Sequence, residues 1–98
     1  MPAYMILIRD EPVHDADEMA EYQRKNREPN DDRPYAMKPL VAYGEMVAVE
    51  GTVPDGGVML EFPSIEEAQA WYNSPGYQKA LPHRLKAADY RAFIVQGM

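Results

Sequence analysis

The chain has 98 residues, 46% of them hydrophobic, which is the composition of one globular domain spanning 1–98 and too little chain for two separate cores. Its net charge of −6 and lack of a basic stripe argue against a nucleic-acid partner. With no cysteine there is no disulfide framework. No stretch nears the ~20 apolar residues of a membrane span, and Met1-Pro2-Ala3-Tyr4 does not open a signal peptide. The expectation is a cytoplasmic protein with neither a membrane nor a nucleic acid as partner.

In chain order, Tyr4-Met5-Ile6-Leu7-Ile8 is a short, unbroken apolar run, expected to be a central strand that ends before Pro12. Asp15 and Glu18 have the spacing of a capping box, and Ala16, Met19, Ala20 and Tyr22 then fall on one face of a helix that frays near Arg27. The mixed-sign run Arg24–Arg33 reads as a solvated loop, overlapping a long connection from Asn26 to Lys38. Leu40–Glu50 is long enough for an extended second strand. Gly44 inside it suggests a bulge or a close backbone approach.

Pro54-Asp55-Gly56-Gly57 marks a hairpin turn, followed by Val58–Phe62 as the third strand. Ser64 and Glu67 form a second capping box, opening a helix with Ile65, Ala68, Trp71 and Tyr72 on one face. Ser74-Pro75 restarts a helix, with Ser74 as N-cap and Pro75 at the first helical position. Pro82 is expected to break or kink it. Tyr90–Val95 closes the chain as a fourth strand.

The order β-α-β-β-α-β predicts an α+β, ferredoxin-like fold: a four-stranded antiparallel sheet with helices on one face. The other face remains apolar and needs a partner, for which a second copy of the same sheet is the simplest choice.

The residues that carry this pattern resemble the DUF1330 family of the dimeric α/β-barrel superfamily. They are Pro2-Ala3-Tyr4, Tyr43-Gly44, Glu50-Gly51 and, most specifically, Leu60-Glu61-Phe62-Pro63-Ser64 running on through Ala70-Trp71-Tyr72-Asn73-Ser74-Pro75-Gly76-Tyr77-Gln78 to Arg84. The resemblance implies a homodimer joined through its open sheet faces. It also implies kinship with cofactor-free antibiotic-biosynthesis monooxygenases and muconolactone isomerase, in which a pocket lies between sheet and helices. The family carries no agreed activity, and shared fold alone transfers no chemistry.

No phosphate loop, nucleophile elbow or metal-binding histidine pair occurs, and no cofactor is expected. Trp71 and Tyr77 flank the Ser-Pro break, where two helical segments cannot pack as one cylinder. The resemblance to monooxygenases with a Trp and a Tyr at such a place makes them candidate substrate-binding walls; the plainer reading is core packing. If the last helix keeps its phase past Pro82, Arg84 shares an apolar stripe with Tyr77, Ala80, Leu81, Leu85 and Ala88. A guanidinium there must be paired, snorkel to water or hold an anion. Glu61 is the one charge in the third strand, and His83 carries the side-chain type most used for proton transfer, so both are candidate catalytic proton carriers. The plainer readings are an ion pair for Glu61 with Arg9, Arg84 or Arg91, and a surface position for His83.

Two functions follow. One is a small-molecule pocket between sheet and helices, supporting cofactor-independent oxygenation or isomerisation. The other is a non-catalytic dimeric binding or stress-related module in which the same residues are core.

Overall fold

The computed structural model describes residues 1–27 and 36–98. Chain order is β1 (Ala3–Arg9), α1 (Ala16–Arg27), β2 (Lys38–Ala42), β3 (Gly56–Phe62), α2 (Ile65–Tyr72), α3 (Pro75–Ala87) and β4 (Tyr90–Gln96). The four strands form one sheet in the order β2-β3-β1-β4, every neighbour antiparallel. This is the α+β, ferredoxin-like arrangement, with its two most apolar strands in the centre.

Alternation along the strands divides the sheet into two faces. Ala3, Met5 and Leu7 of β1 point to the helices and are buried with Leu60 and Phe62 of β3. Tyr4, Ile6 and Ile8 point the other way and are only half-buried. The unbroken apolar run of β1 therefore reflects one covered face and one bare one. On the bare face Phe93 and Val95 of β4 remain 46% and 44% exposed.

The helix caps form at Asp15, Ser64 and Ser74. Asp15 Oδ1 accepts from the Glu18 amide (3.1 Å), Ser64 Oγ from that of Glu67 (3.1 Å) and Ser74 Oγ from that of Tyr77 (3.4 Å). Ser74 also donates to the Trp71 carbonyl at 2.7 Å, tying the end of α2 to the start of α3. Pro82 does not break α3, which runs through it to Ala87. Pro82 lies on the exposed side, where the carbonyl it leaves without an amide can be solvated. The phase holds through Tyr77, Ala80, Leu81 and Arg84, all buried, and then continues to Ala87. Leu85 lies outside the stripe, 62% exposed.

The second strand is far shorter than the expected Leu40–Glu50. Its ladder slips register between Pro39 and Val41, and Ala42 pairs with Val58. The Tyr43 amide donates to the carbonyl of Gly57, the second residue of β3, at 2.8 Å. Tyr43 then takes a positive φ of 56° and turns the chain off the sheet, so Val47 and Val49 stay exposed. Gly44, expected at a bulge or close approach, has open space where a Cβ would sit. A tight position is instead Gly56, where a Cβ would lie 2.9 Å from the Tyr43 ring and 3.0 Å from Arg9 Nη2. The run Arg24–Arg33 remains helical through Arg27; the remainder of that expected loop lies outside the described residues up to position 35.

Candidate functional site

The helical layer does not lie evenly on the sheet. Helix α2 packs directly on β1, β3 and β4, whereas α1 packs chiefly on α3. Between the α1–α3 pair and the sheet is a cavity of about 350 Å³. Its floor is Leu7 of β1 with Val58 and Leu60 of β3. Trp71 and Tyr77 form the wall at the α2–α3 junction, Tyr22 comes from α1, and Tyr43 and Tyr90 close the far end. Gln23 of α1 and Pro39 of β2, both exposed, mark the side toward solvent.

The aromatic wall is continuous. The rings of Trp71 and Tyr77 are 4.3 Å apart between centroids, and Phe62 backs Trp71 at 5.7 Å. Tyr22 meets Tyr77 edge-on, and their hydroxyls share a hydrogen bond of 3.0 Å. Tyr43 and Tyr90 share a second, at 2.8 Å. Burial, reinforced by the neighbouring phenol, pushes the ionisation of both Tyr22 and Tyr43 well above the usual tyrosine range. At neutral pH these groups are protonated hydrogen-bonding walls and not bases.

Arg84 enters this lining from α3, only 3% exposed. Its guanidinium lies over the Tyr90 ring, 4.9 Å from the centroid. Nε is sealed from solvent and has no hydrogen-bond partner. No carboxylate among the described residues pairs with it, and it is the one charged side chain among the described residues lining the cavity. The Coulomb field of a buried cation is weakly screened, and its desolvation is costly while it has no counter-charge.

Of the candidates from sequence, Trp71, Tyr77 and Arg84 converge on this cavity, while Glu61 and His83 do not line it. Glu61 sits on the bare sheet face, in register with Tyr4 on one side and Lys38 on the other. Its parity along β3 is opposite to that of Leu60 and Phe62. None of its expected arginine partners reaches it: Arg9 binds Asp55 (2.8 Å), Arg91 binds Asp10 (3.0 Å), and Arg84 pairs with no carboxylate. His83 Nδ1 meets Glu18 Oε2 at 2.5 Å across the α1–α3 seam. That contact uses the carboxylate expected to complete the capping box at Asp15.

From sequence, Tyr22 falls on the apolar face of a helix, Arg9 is a possible partner of Glu61, and Tyr43 and Tyr90 carry no site role. Arg9 holds the cavity's far end: it donates to Tyr90 Oη at 3.1 Å and lies 5.1 Å over the Tyr43 ring. The available signal was seven tyrosines in a short chain, several of them at element ends. No cluster of three or more His, Asp or Glu side chains that could hold a metal occurs among the described residues. Nor is any helix among them long and apolar enough to cross a membrane.

Residues 2–98 match the family described as a domain of unknown function, DUF1330. The chain belongs to the DUF1330 family. Two crystal structures of a Rhodopseudomonas palustris protein of unknown function, one of them methylated, share the fold. For the first, the TM-score is 0.71 at 18% identity, over 99% of this chain and 82% of that one. For the methylated form it is 0.71 at 19%, over 99% and 81%. A Bacillus halodurans protein of the EthD family, named for ethyl tert-butyl ether, aligns over 100% of both chains, with a TM-score of 0.59 and 16% identity. No curated protein matches the chain. At such identities the likeness concerns fold alone, which here is the ferredoxin-like fold of the EthD type.

Proposed function

We propose that this DUF1330 protein is a homodimeric binding protein that holds a small organic molecule in the cavity between α1, α3 and the sheet. The observation that carries this reading is Arg84: a buried guanidinium with no hydrogen-bond or ion-pair partner among the described residues, set in the lining of an aromatic-walled cavity. Core arginines are normally paired, and a concave, mostly apolar site with a few convergent polar groups is the usual form of a ligand pocket.

Turnover has less support than binding. Cofactor-independent oxygenation or isomerisation needs a group that takes a proton from the bound compound. Glu61 and His83 lie away from the cavity, and the phenols of Tyr22 and Tyr43 hold their protons.

The dimer is inferred from the bare sheet face. Ile6, Ile8, Val41, Met59, Phe93 and Val95 form an apolar surface with no helix over it. A second copy would cover this surface, burying more than ~1,000 Å² in total, as stable interfaces do. Light scattering at micromolar concentration should give twice the chain mass. A thermal-shift screen of small organic compounds should find saturable stabilisers that alter the emission of Trp71, the single tryptophan, because binding to the native state alone raises stability. A monomer would contradict the dimer, and a panel of acids, amides and amines without one stabiliser would contradict the binding reading.

A further inference from the structure

The cavity's charge balance narrows the class of its occupant. We infer that the ligand is a flat organic monoanion whose single carboxylate or enolate-like head sits on the Arg84 guanidinium and whose apolar body lies against Trp71 and Tyr77. This rests on the proposed binding function and specifies it.

The head group follows from Arg84. One π-face of the guanidinium is covered by Tyr90, 4.9 Å away. None of its nitrogens has a protein acceptor among the described residues, and Nε is closed off from water. Apart from Arg84, no described lining residue carries a charge, so none of them supplies the counter-charge that an occupant with an anionic head would bring. A planar anion with two oxygens can meet the remaining N–H groups two at a time, in the geometry that a guanidinium favours.

The charge is limited to one. A second cation that touches the lining is Arg9, over the Tyr43 and Tyr90 rings, and it is already engaged by Asp55 at 2.8 Å and by Tyr90 Oη at 3.1 Å. Among the described lining residues a second ionised group on the ligand would meet only neutral side chains, and leaving it unpaired there is costly. The chain's net charge of −6 adds repulsion toward polyanions approaching from solution. These features speak against phosphates and dicarboxylates.

The body of the ligand follows from the walls. The stacked Trp71 and Tyr77 rings and the side chains of Leu7 and Leu60 present flat apolar surface. Gln23 on the solvent side can hydrogen-bond a neutral polar tip. At about 350 Å³ the cavity lies at the small end of ligand pockets, suited to one or two fused rings or a short conjugated chain.

The test is calorimetric titration of the purified protein with three naphthalenes of matched shape: 2-naphthoate, neutral 2-naphthamide and the dianion naphthalene-2,6-dicarboxylate. Wild type should bind the monoanion at least about tenfold more tightly than the amide, as a charge-assisted pair in a desolvated site requires, and more tightly than the dianion. Arg84→Met should abolish the preference over the amide, and Arg84→Lys should retain part of it. Equal binding of naphthoate and amide by wild type would overturn the monoanion assignment while leaving an apolar binding pocket intact. Tighter binding of the dianion would likewise overturn it. Failure of all three to bind would count against the pocket itself. Should both variants unfold, Arg84 is a brace and the assignment falls.

Discussion

Two arginines hold their guanidinium groups over the ring of Tyr90, and they are treated in opposite ways. Arg9, at the end of β1, is braced by Asp55 and by the Tyr90 hydroxyl and is pressed against Tyr43 beside Gly56. Arg84, inside the helical layer, is more deeply buried yet has no acceptor among the described residues. The contrast runs against the energetics of folding alone, since the deeper charge needs a partner more. A cation that closes its own hydrogen bonds is part of the frame, whereas one left open inside a cavity is available to something that enters.

The comparison can be broken from either side. The largest effect is expected at the wall the cavity borrows from the core. Tyr77 is fully buried between Trp71, Tyr72 and Tyr22. Tyr77→Ala should cost about 3–5 kcal/mol in denaturant unfolding, the range for deleting a buried aromatic ring. It also leaves the Tyr22 hydroxyl without its partner. A loss below about 1 kcal/mol would mean that the wall is not packed as described.

On the braced side, Gly56→Val drives a side chain into the Tyr43 ring and Arg9, and should cost about 1–3 kcal/mol. Gly44→Val, at a position with open space around it, serves as the control and should leave the melting temperature near wild type. Equal effects at the two glycines would contradict the backbone geometry at Tyr43.

Arg9→Met should cost less, about 1 kcal/mol, because its partner Asp55 is partly solvated and can rehydrate. Its loss should still loosen the Tyr43–Tyr90 end of the cavity, and this would appear as weaker ligand binding. Unchanged binding would detach the Arg9 cluster from the site.

The fold was legible because its signals are local and periodic. The apolar run at Tyr4–Ile8, the caps at Asp15, Ser64 and Ser74 and the Ser-Pro break each act within a few residues. Where Leu40–Glu50 was read as one long strand, the outcome depended on something local patterning does not contain: the partner strand ends at Gly56, and Tyr43 turns away at positive φ. The site was legible in part. Tyr77 and Arg84 share a stripe of α3, so spacing groups these two, while Trp71 is joined to Tyr77 across the Ser-Pro break by the family resemblance. Tyr22, Tyr43 and Tyr90 come from three separate elements and meet only through tertiary packing. Glu61 and His83 stand out in the sequence for their side-chain chemistry, and strand parity and the α1–α3 seam carry them elsewhere.

The central contrast between the two arginines is tested most directly by denaturant unfolding of wild type and Arg84→Met, each with and without 2-naphthoate. Met retains much of the apolar stem while removing the charge. Without ligand, the variant's midpoint should equal or exceed that of wild type, since no carboxylate among the described residues is left unpaired and a desolvated cation is gone. Naphthoate should raise the wild-type midpoint, by about 2.7 kcal/mol in stability at a hundred times the dissociation constant, and should raise the variant's by clearly less, about 1.4 kcal/mol for a tenfold weaker affinity. A variant that loses about 3 kcal/mol or more without ligand, as happens when a buried pair is broken, would show that Arg84 is a brace like Arg9 and would contradict the account.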